Sequence, residues 1–289
     1  MSKEELRLTV AEKKHNDALF AFAGVAQKKS ALKNSRQAVA KALGKVKPKK
    51  GYSHIVHIIL TILLPLALYT LRRIDFAQIA VALVLLSKWR IFSVKARHWP
   101  ANIRANSIDI IVGVSIVLFM TKTQSPGLQF FWVLPYIVWL IFIKPKSSVL
   151  WVVTQAMIGQ IMGLMALYSV YGAAGSSALV LATMGICYAA ARHFFSAFDE
   201  TLGRTTSYIW AYFGASLTWL LSHWLIFYGI MAQPVLILSA VGYTLAGLYF
   251  LKHTDKLTAG VQRQFIIVLS AILIFLIVFS DWSDKLTGA

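Results

Sequence analysis

The sequence predicts an all-α fold, a polytopic membrane helix bundle of about nine spans preceded by a basic cytoplasmic N-terminal helix. Three observations carry that expectation. Of the 289 residues, 58% are hydrophobic and only 14% are charged, whereas a soluble domain carries about 25% charged residues. Apolar runs near the roughly 20 residues that a bilayer-crossing helix needs follow one another from residue 53 to residue 280. Finally, the Lys and Arg residues gather in alternate connecting segments, as they do on the cytoplasmic side of membrane proteins.

Residues 1–52 are polar and read as helical. Ser2 and Glu5 have capping-box spacing, and strong breakers are few before Gly44 and Pro48. A seam that starts at Leu8, Ala11, His15, Ala18, Phe22 and Val25 and continues to Val46 alternates steps of three and four, the pattern of a coiled-coil face; Lys29 and Arg36 interrupt it. The segment holds 13 Lys and Arg against Glu4, Glu5, Glu12 and Asp17. Anionic lipid at the inner leaflet is therefore its natural surface, with a protein partner or self-association through residues 1–46 as the competing use and a solvated basic tail as the third. No cleavable signal peptide is expected.

The apolar runs lie at 53–71, 76–92, 107–121, 128–143, 148–171, 177–195, 206–229, 234–251 and 264–280, and residues 281–289 form a short tail. With the N-terminus in the cytoplasm, only Arg72, Arg73, Lys122 and Lys285 of the 29 Lys and Arg fall outside. The inverted arrangement violates the positive-inside rule repeatedly. These charges place the chain in a plasma (inner) membrane of bacterial type with its C-terminus extracytoplasmic, and they account for the net charge of +18 without nucleic acid as a partner. The first hairpin, 53–92, is the weakest pair, because Arg72 and Arg73 sit in a very short turn; two true spans, with Asp75 as a local partner of the arginines, are preferred to a re-entrant pair. After the second run, Trp89, Phe92, Ala96 and Trp99 recur at helical spacing between Lys88, Arg90, Lys95 and Arg97, and Pro100 closes the stretch. That pattern predicts an interfacial helix lying on the inner leaflet, with a solvated basic loop as the plainer alternative.

Small residues mark where membrane helices approach closely. Gly159 and Gly163 with Ala156, then Ala178, Ala182, Gly185 and Ala189, then Gly242 and Ala246 predict that spans five to eight form the tight centre of the bundle, with Pro65 and Pro135 kinking spans one and four.

Ionisable groups at membrane depth are functional candidates by default. His57, Asp109, His193 and Glu200 cluster near the inner ends of spans and offer a cytoplasmic-side vestibule suited to an enzyme, unless they are interfacial charges that simply reach water. Gln155 and Gln160 on span five, with Tyr212, Ser216, Trp219 and His223 on span seven, are candidates for a substrate path; interhelical hydrogen bonding is the commoner use of such groups. The single cysteine, Cys187, allows no disulfide within the chain, and no cofactor or metal motif is present.

Asp199-Glu200 with Arg204, followed by Trp219 with His223, resembles the CAAX-processing family of intramembrane proteases, whose pattern is EExxxR followed by FxxxH and a later His/Asn pair. The resemblance implies a membrane-embedded peptidase with Glu200 and His223 in its site. Here Asp replaces the first acid, Trp replaces Phe, and Gln264 stands where a late His is expected. An unbroken helix would also separate Glu200 from His223 by about 34 Å, so this activity requires a break near Gly214. The leading expectation is a transporter-like protein or membrane-complex component, with the membrane enzyme as the alternative.

Overall fold

A computed structural model describes residues 52–91, 93–198, 200–224, 227–228 and 231–279. The chain divides into two compact units, Met1–His57 and Ile58–Ala289, and the contacts below lie within the second. The N-terminal seam and its lipid or protein partners lie outside the described residues.

Among the described residues, nine longer helices follow in order: α1 (Tyr52–Arg73), α2 (Ala77–Leu86), α3 (Trp99–Lys122), α4 (Pro126–Ile143), α5 (Val149–Tyr171), α6 (Ser176–Phe195), α7 (Gly203–Leu221), α8 (Gln233–His253) and α9 (Ala259–Val278). Six of the described helices, α3, α4, α5, α6, α8 and α9, are long and apolar enough to cross a membrane. They are consistent with a multi-span membrane protein.

The ends of these helices follow from local chemistry. Pro100, Pro126 and Pro234 each sit in a first turn, where the missing N–H costs nothing. Helices α1 and α8 both end on an aspartate at positive φ, 60° at Asp75 and 56° at Asp255. In each, the next residue's N–H reaches back five positions, Phe76 to Leu71 at 2.9 Å and Lys256 to Leu251 at 2.9 Å. This is the Schellman arrangement with Asp in the glycine position. Thr258 caps α9 by accepting from the Val261 N–H at 3.3 Å.

Helix α4 is not a plain α-helix. Its α-turns break between Phe131 and Val133, four residues before Pro135, whose ring excludes the Phe131 carbonyl from its normal bond. The helix then ends in a π-turn over Trp139–Ile143, closed by the Lys144 N–H donating to the Trp139 carbonyl at 2.8 Å. Pro65, in contrast, lies inside α1 without ending it.

Two expectations need correction. The predicted interfacial helix between Lys88 and Trp99 is two short 3-10 turns, Trp89–Ile91 and Ala96–His98. Pro100 opens α3 instead of closing that stretch, so α3 starts eight residues before the expected 107. The seventh run ends as a helix at Leu221 and continues through a 3-10 turn, Ser222–Trp224, into a two-stranded antiparallel ribbon that pairs Phe227 with Ala232 and Tyr228 with Met231.

Antiparallel registers can be read from the side-chain contacts. Helix α2 lies along α3, with the Arg72 guanidinium donating to the Thr121 carbonyl at 3.4 Å near one end and Lys88 meeting Asp109 near the other. Phe76 to Lys88 and Asp109 to Thr121 each rise about 18 Å as helix. Between α6 and α7, Phe195 lies against Gly203, Cys187 against Gly214, and the Tyr188 and Tyr208 rings stand 4.9 Å apart. Thr183 and Thr218 meet on the Tyr168 hydroxyl at 3.1 and 2.8 Å.

The predicted glycine faces behave differently. A Cβ on Gly159 would lie 2.8 Å from Ile108, and one on Gly163 would lie 2.7 Å from Ile111, so this face receives α3. Gly242 receives Gln160 and Trp210. The small-residue side of α6 is not such a contact, because Ala178 and Gly185 are exposed. Helix α6 buries Leu179, Thr183, Cys187 and Phe194 instead. A further core, which the glycine pattern does not reveal, joins α1 to α4 around Leu68, Val84, Ile116 and Tyr136.

Candidate functional site

The most concentrated charge among the described residues is centred on Asp109. Lys88 and Lys144 both reach its Oδ2 at 2.5 Å, and the Trp139 indole donates to Oδ1 at 2.9 Å. Lys88 is 8% exposed, whereas Lys144 is 37% exposed. One carboxylate thus faces two ammonium groups, one enclosed and one at the edge. The π-turn of α4 delivers both Trp139 and Lys144, and the α2–α3 register delivers Lys88.

A neutral network adjoins this cluster. The Gln155 amide donates to the carbonyls of Ile143 and Lys146 at 2.8 and 2.9 Å, and its oxygen lies 3.0 Å from His193 Nε2. Gln155 therefore ties the loop that carries Lys144 to α6. Deeper, Gln160 accepts from the Trp210 indole at 2.9 Å and donates to the Leu238 carbonyl at 3.2 Å, which joins α5, α7 and α8. Glu200 accepts from the Tyr249 hydroxyl at 2.9 Å, with Phe194, Phe195 and Phe198 packed around that ring.

Between α5, α6, α7 and α8 lies a cavity of about 240 Å³, lined by Ala156, Ala190, Phe194, Thr206, Ala246 and Tyr249 among others, with Gln160 at its wall. Its lining is almost wholly apolar. Gln160 spends one donor and one acceptor on protein, so one N–H and one oxygen lone pair of its amide remain.

No known protein family, curated protein or solved structure matches the chain. Chemistry must therefore be read from the site alone.

The expected inner-side vestibule does not form as one group. Asp109 is held by Lys88, Lys144 and Trp139, His193 by Gln155, and Glu200 by Tyr249; the side chain of His57 lies outside the described residues. Helix α6 ends at Phe195, so His193 and Glu200 do not share a helical face. Among the described residues no three His, Cys, Asp or Glu gather as a metal site. The protease geometry also fails: α7 runs unbroken through Gly214 from Gly203 to Leu221, a rise of about 27 Å that keeps Glu200 and His223 at opposite ends.

The path candidates divide. Gln155 and Gln160 are buried and tied to neighbouring helices. Tyr212, Ser216, Trp219 and His223 point away from the bundle. Of the lipid-surface set, Trp89, Lys95, Arg97 and Trp99 are exposed, Lys88 is buried in the ion cluster, and the Arg90 side chain lies outside the described residues. Lys144, Trp139 and Trp210 were not singled out by sequence. A usable signal existed for the first: Asp109 is the one acid between Asp75 and Asp199, so inner-side lysines had no other carboxylate to approach.

Proposed function

We propose that this protein crosses a plasma membrane nine times, with its N-terminus cytoplasmic, and acts as a transporter-like binder of a lipophilic molecule held between α5, α6, α7 and α8. The cavity carries the reading. An apolar pocket of about 240 Å³ with one under-used amide suits a hydrocarbon chain bearing a single hydrogen-bonding group far better than it suits a charged solute, which would lose its hydration without replacement. Nine crossings are supported by register: α2 runs beside the apolar part of α3, and α7 runs beside α6 along its length. Anionic lipid at the inner leaflet is the proposed neighbour of the exposed Lys95, Arg97 and Trp99 surface.

Binding tests this directly. The full chain in nanodiscs should bind a pyrene-labelled acyl lipid saturably. Ala246→Leu, which fills the pocket, should weaken that binding several-fold, while Leu181→Ala on the exposed side of α6 should leave it unchanged. Equal, non-saturable partitioning of the probe in all three proteins would refute the pocket as a binding site.

A further inference from the structure

Three arginines gather at one end of α3, α6 and α7. Arg192 follows Tyr188 by one turn on α6, and Arg204 precedes Tyr208 by one turn on α7. These helices are antiparallel and the two rings stand 4.9 Å apart, so both guanidinium groups lie beyond the ring pair, toward the loop that joins α6 to α7. Arg204 Cζ is 5.9 Å from the centre of the Tyr208 ring. Helix α3 brings the third arginine. Ile111 and Ile186 both flank Gly163, which sets that point of α3 level with that point of α6. From there Arg104 lies about 10 Å along α3 and Arg192 about 9 Å along α6, toward the same end. The charge of Arg104 acts on both tyrosines, that of Arg192 on Tyr188 and that of Arg204 on Tyr208.

Among the described residues, no acid answers this charge. None of the three arginines forms a salt bridge with a described carboxylate, and Arg192 Nε is enclosed without a hydrogen-bond partner. The described acids at this end are engaged elsewhere, Asp109 with Lys88 and Lys144 and Glu200 with Tyr249. Arg72, at the other end of α3, offers the contrast: its guanidinium has Asp75 and the Thr121 carbonyl as partners. Like charges gathered without a counter-ion repel, and an anion between them recovers that free energy. Access is open, because Arg104 and Arg204 are exposed and Arg192 is half-buried.

We infer that Arg104, Arg192 and Arg204, flanked by the Tyr188 and Tyr208 pair, bind the phosphate group of an anionic ligand. A guanidinium presents paired N–H donors that match phosphate oxygens. A carboxylate has two oxygens to offer three such forks, whereas a phosphate monoester has three and a larger charge. Helices α3 and α6 are long and apolar enough to cross a membrane, so their ends lie where lipid headgroups lie; a phospholipid headgroup and a soluble phosphate compound share this chemistry. The inference is independent of the pocket.

Native mass spectrometry of the full chain in neutral detergent tests it, with phosphatidic acid and the diacylglycerol of the same acyl chains as probes. The unaltered protein should retain one phosphatidic acid several-fold more than the diacylglycerol. Arg104→Gln combined with Arg204→Gln should lower that retention several-fold. Lys256→Gln combined with Arg263→Gln removes equal charge from exposed positions near the start of α9 and should leave it unchanged. Should the arginine pair misfold, Arg192→Lys, which keeps the charge and loses the fork, should still lower retention. Millimolar inorganic phosphate identifies the source: displacement of the lipid assigns the site to soluble phosphate compounds, and persistence assigns it to a headgroup. Equal retention of the two probes would overturn the proposal. So would equal losses in the two double variants, which would reveal only the general attraction of a basic surface.

Discussion

Asp109 shows how one side chain organises its surroundings. Three groups on three segments, Lys88, Trp139 and Lys144, converge on it. Removing one member of a buried ion cluster leaves uncompensated charge, which costs about 3–5 kcal/mol. Asp109→Asn should therefore lower the thermal unfolding midpoint in detergent markedly, and Lys88→Met with Asp109→Leu should lose less than Asp109→Asn alone. A midpoint unchanged by Asp109→Asn would show that the cluster contributes nothing to stability. The sequence places Asp109 near the inner end of a span as a functional candidate but assigns Lys88 to the lipid surface. Charge and position in the loop are visible in a sequence, whereas the burial of Lys88 depends on α2 folding back along α3, a long-range event with no local signature. Gln155 and Gln160 were visible as deep polar groups for the opposite reason: an amide inside an apolar run stands out wherever its partner comes from.

Among the elements, those bounded by local breakers were the most legible. The runs expected at 148–171, 177–195 and 234–251 are the helices Val149–Tyr171, Ser176–Phe195 and Gln233–His253. The stretch after Lys88 was misread because Trp89, Ala96 and Trp99 have helical spacing, while Pro100 acts as a start signal for the next helix and not as a stop for the preceding one. The glycine patterns were informative on α5 and α8 and not on α6, since small residues permit close approach without requiring it. On α7, Gly214 is the tight point: a Cβ there would lie 2.8 Å from Cys187 Sγ. Gly214→Ala should cost about 1–3 kcal/mol through overpacking, and Cys187→Ala should recover part of that loss in the double variant. Additive losses, measured by thermal unfolding of the four proteins, would mean that the two positions do not share the contact.

For the whole molecule, the charge distribution leads to a test of orientation. A reporter that works only outside the cytoplasm should be active when fused after Ala289 and inactive when inserted after Lys146. An inactive reporter at Ala289, with the N-terminus located in the cytoplasm, would exclude an odd number of crossings. The α2–α3 pair adds a mechanical consequence. Its ties, Arg72 with Thr121 and Lys88 with Asp109, are separated by about 18 Å of helix and are mostly enclosed by protein. Two fixings at different heights remove the pair's freedom to slide or pivot, so α2 is clamped like a bar bolted at both ends.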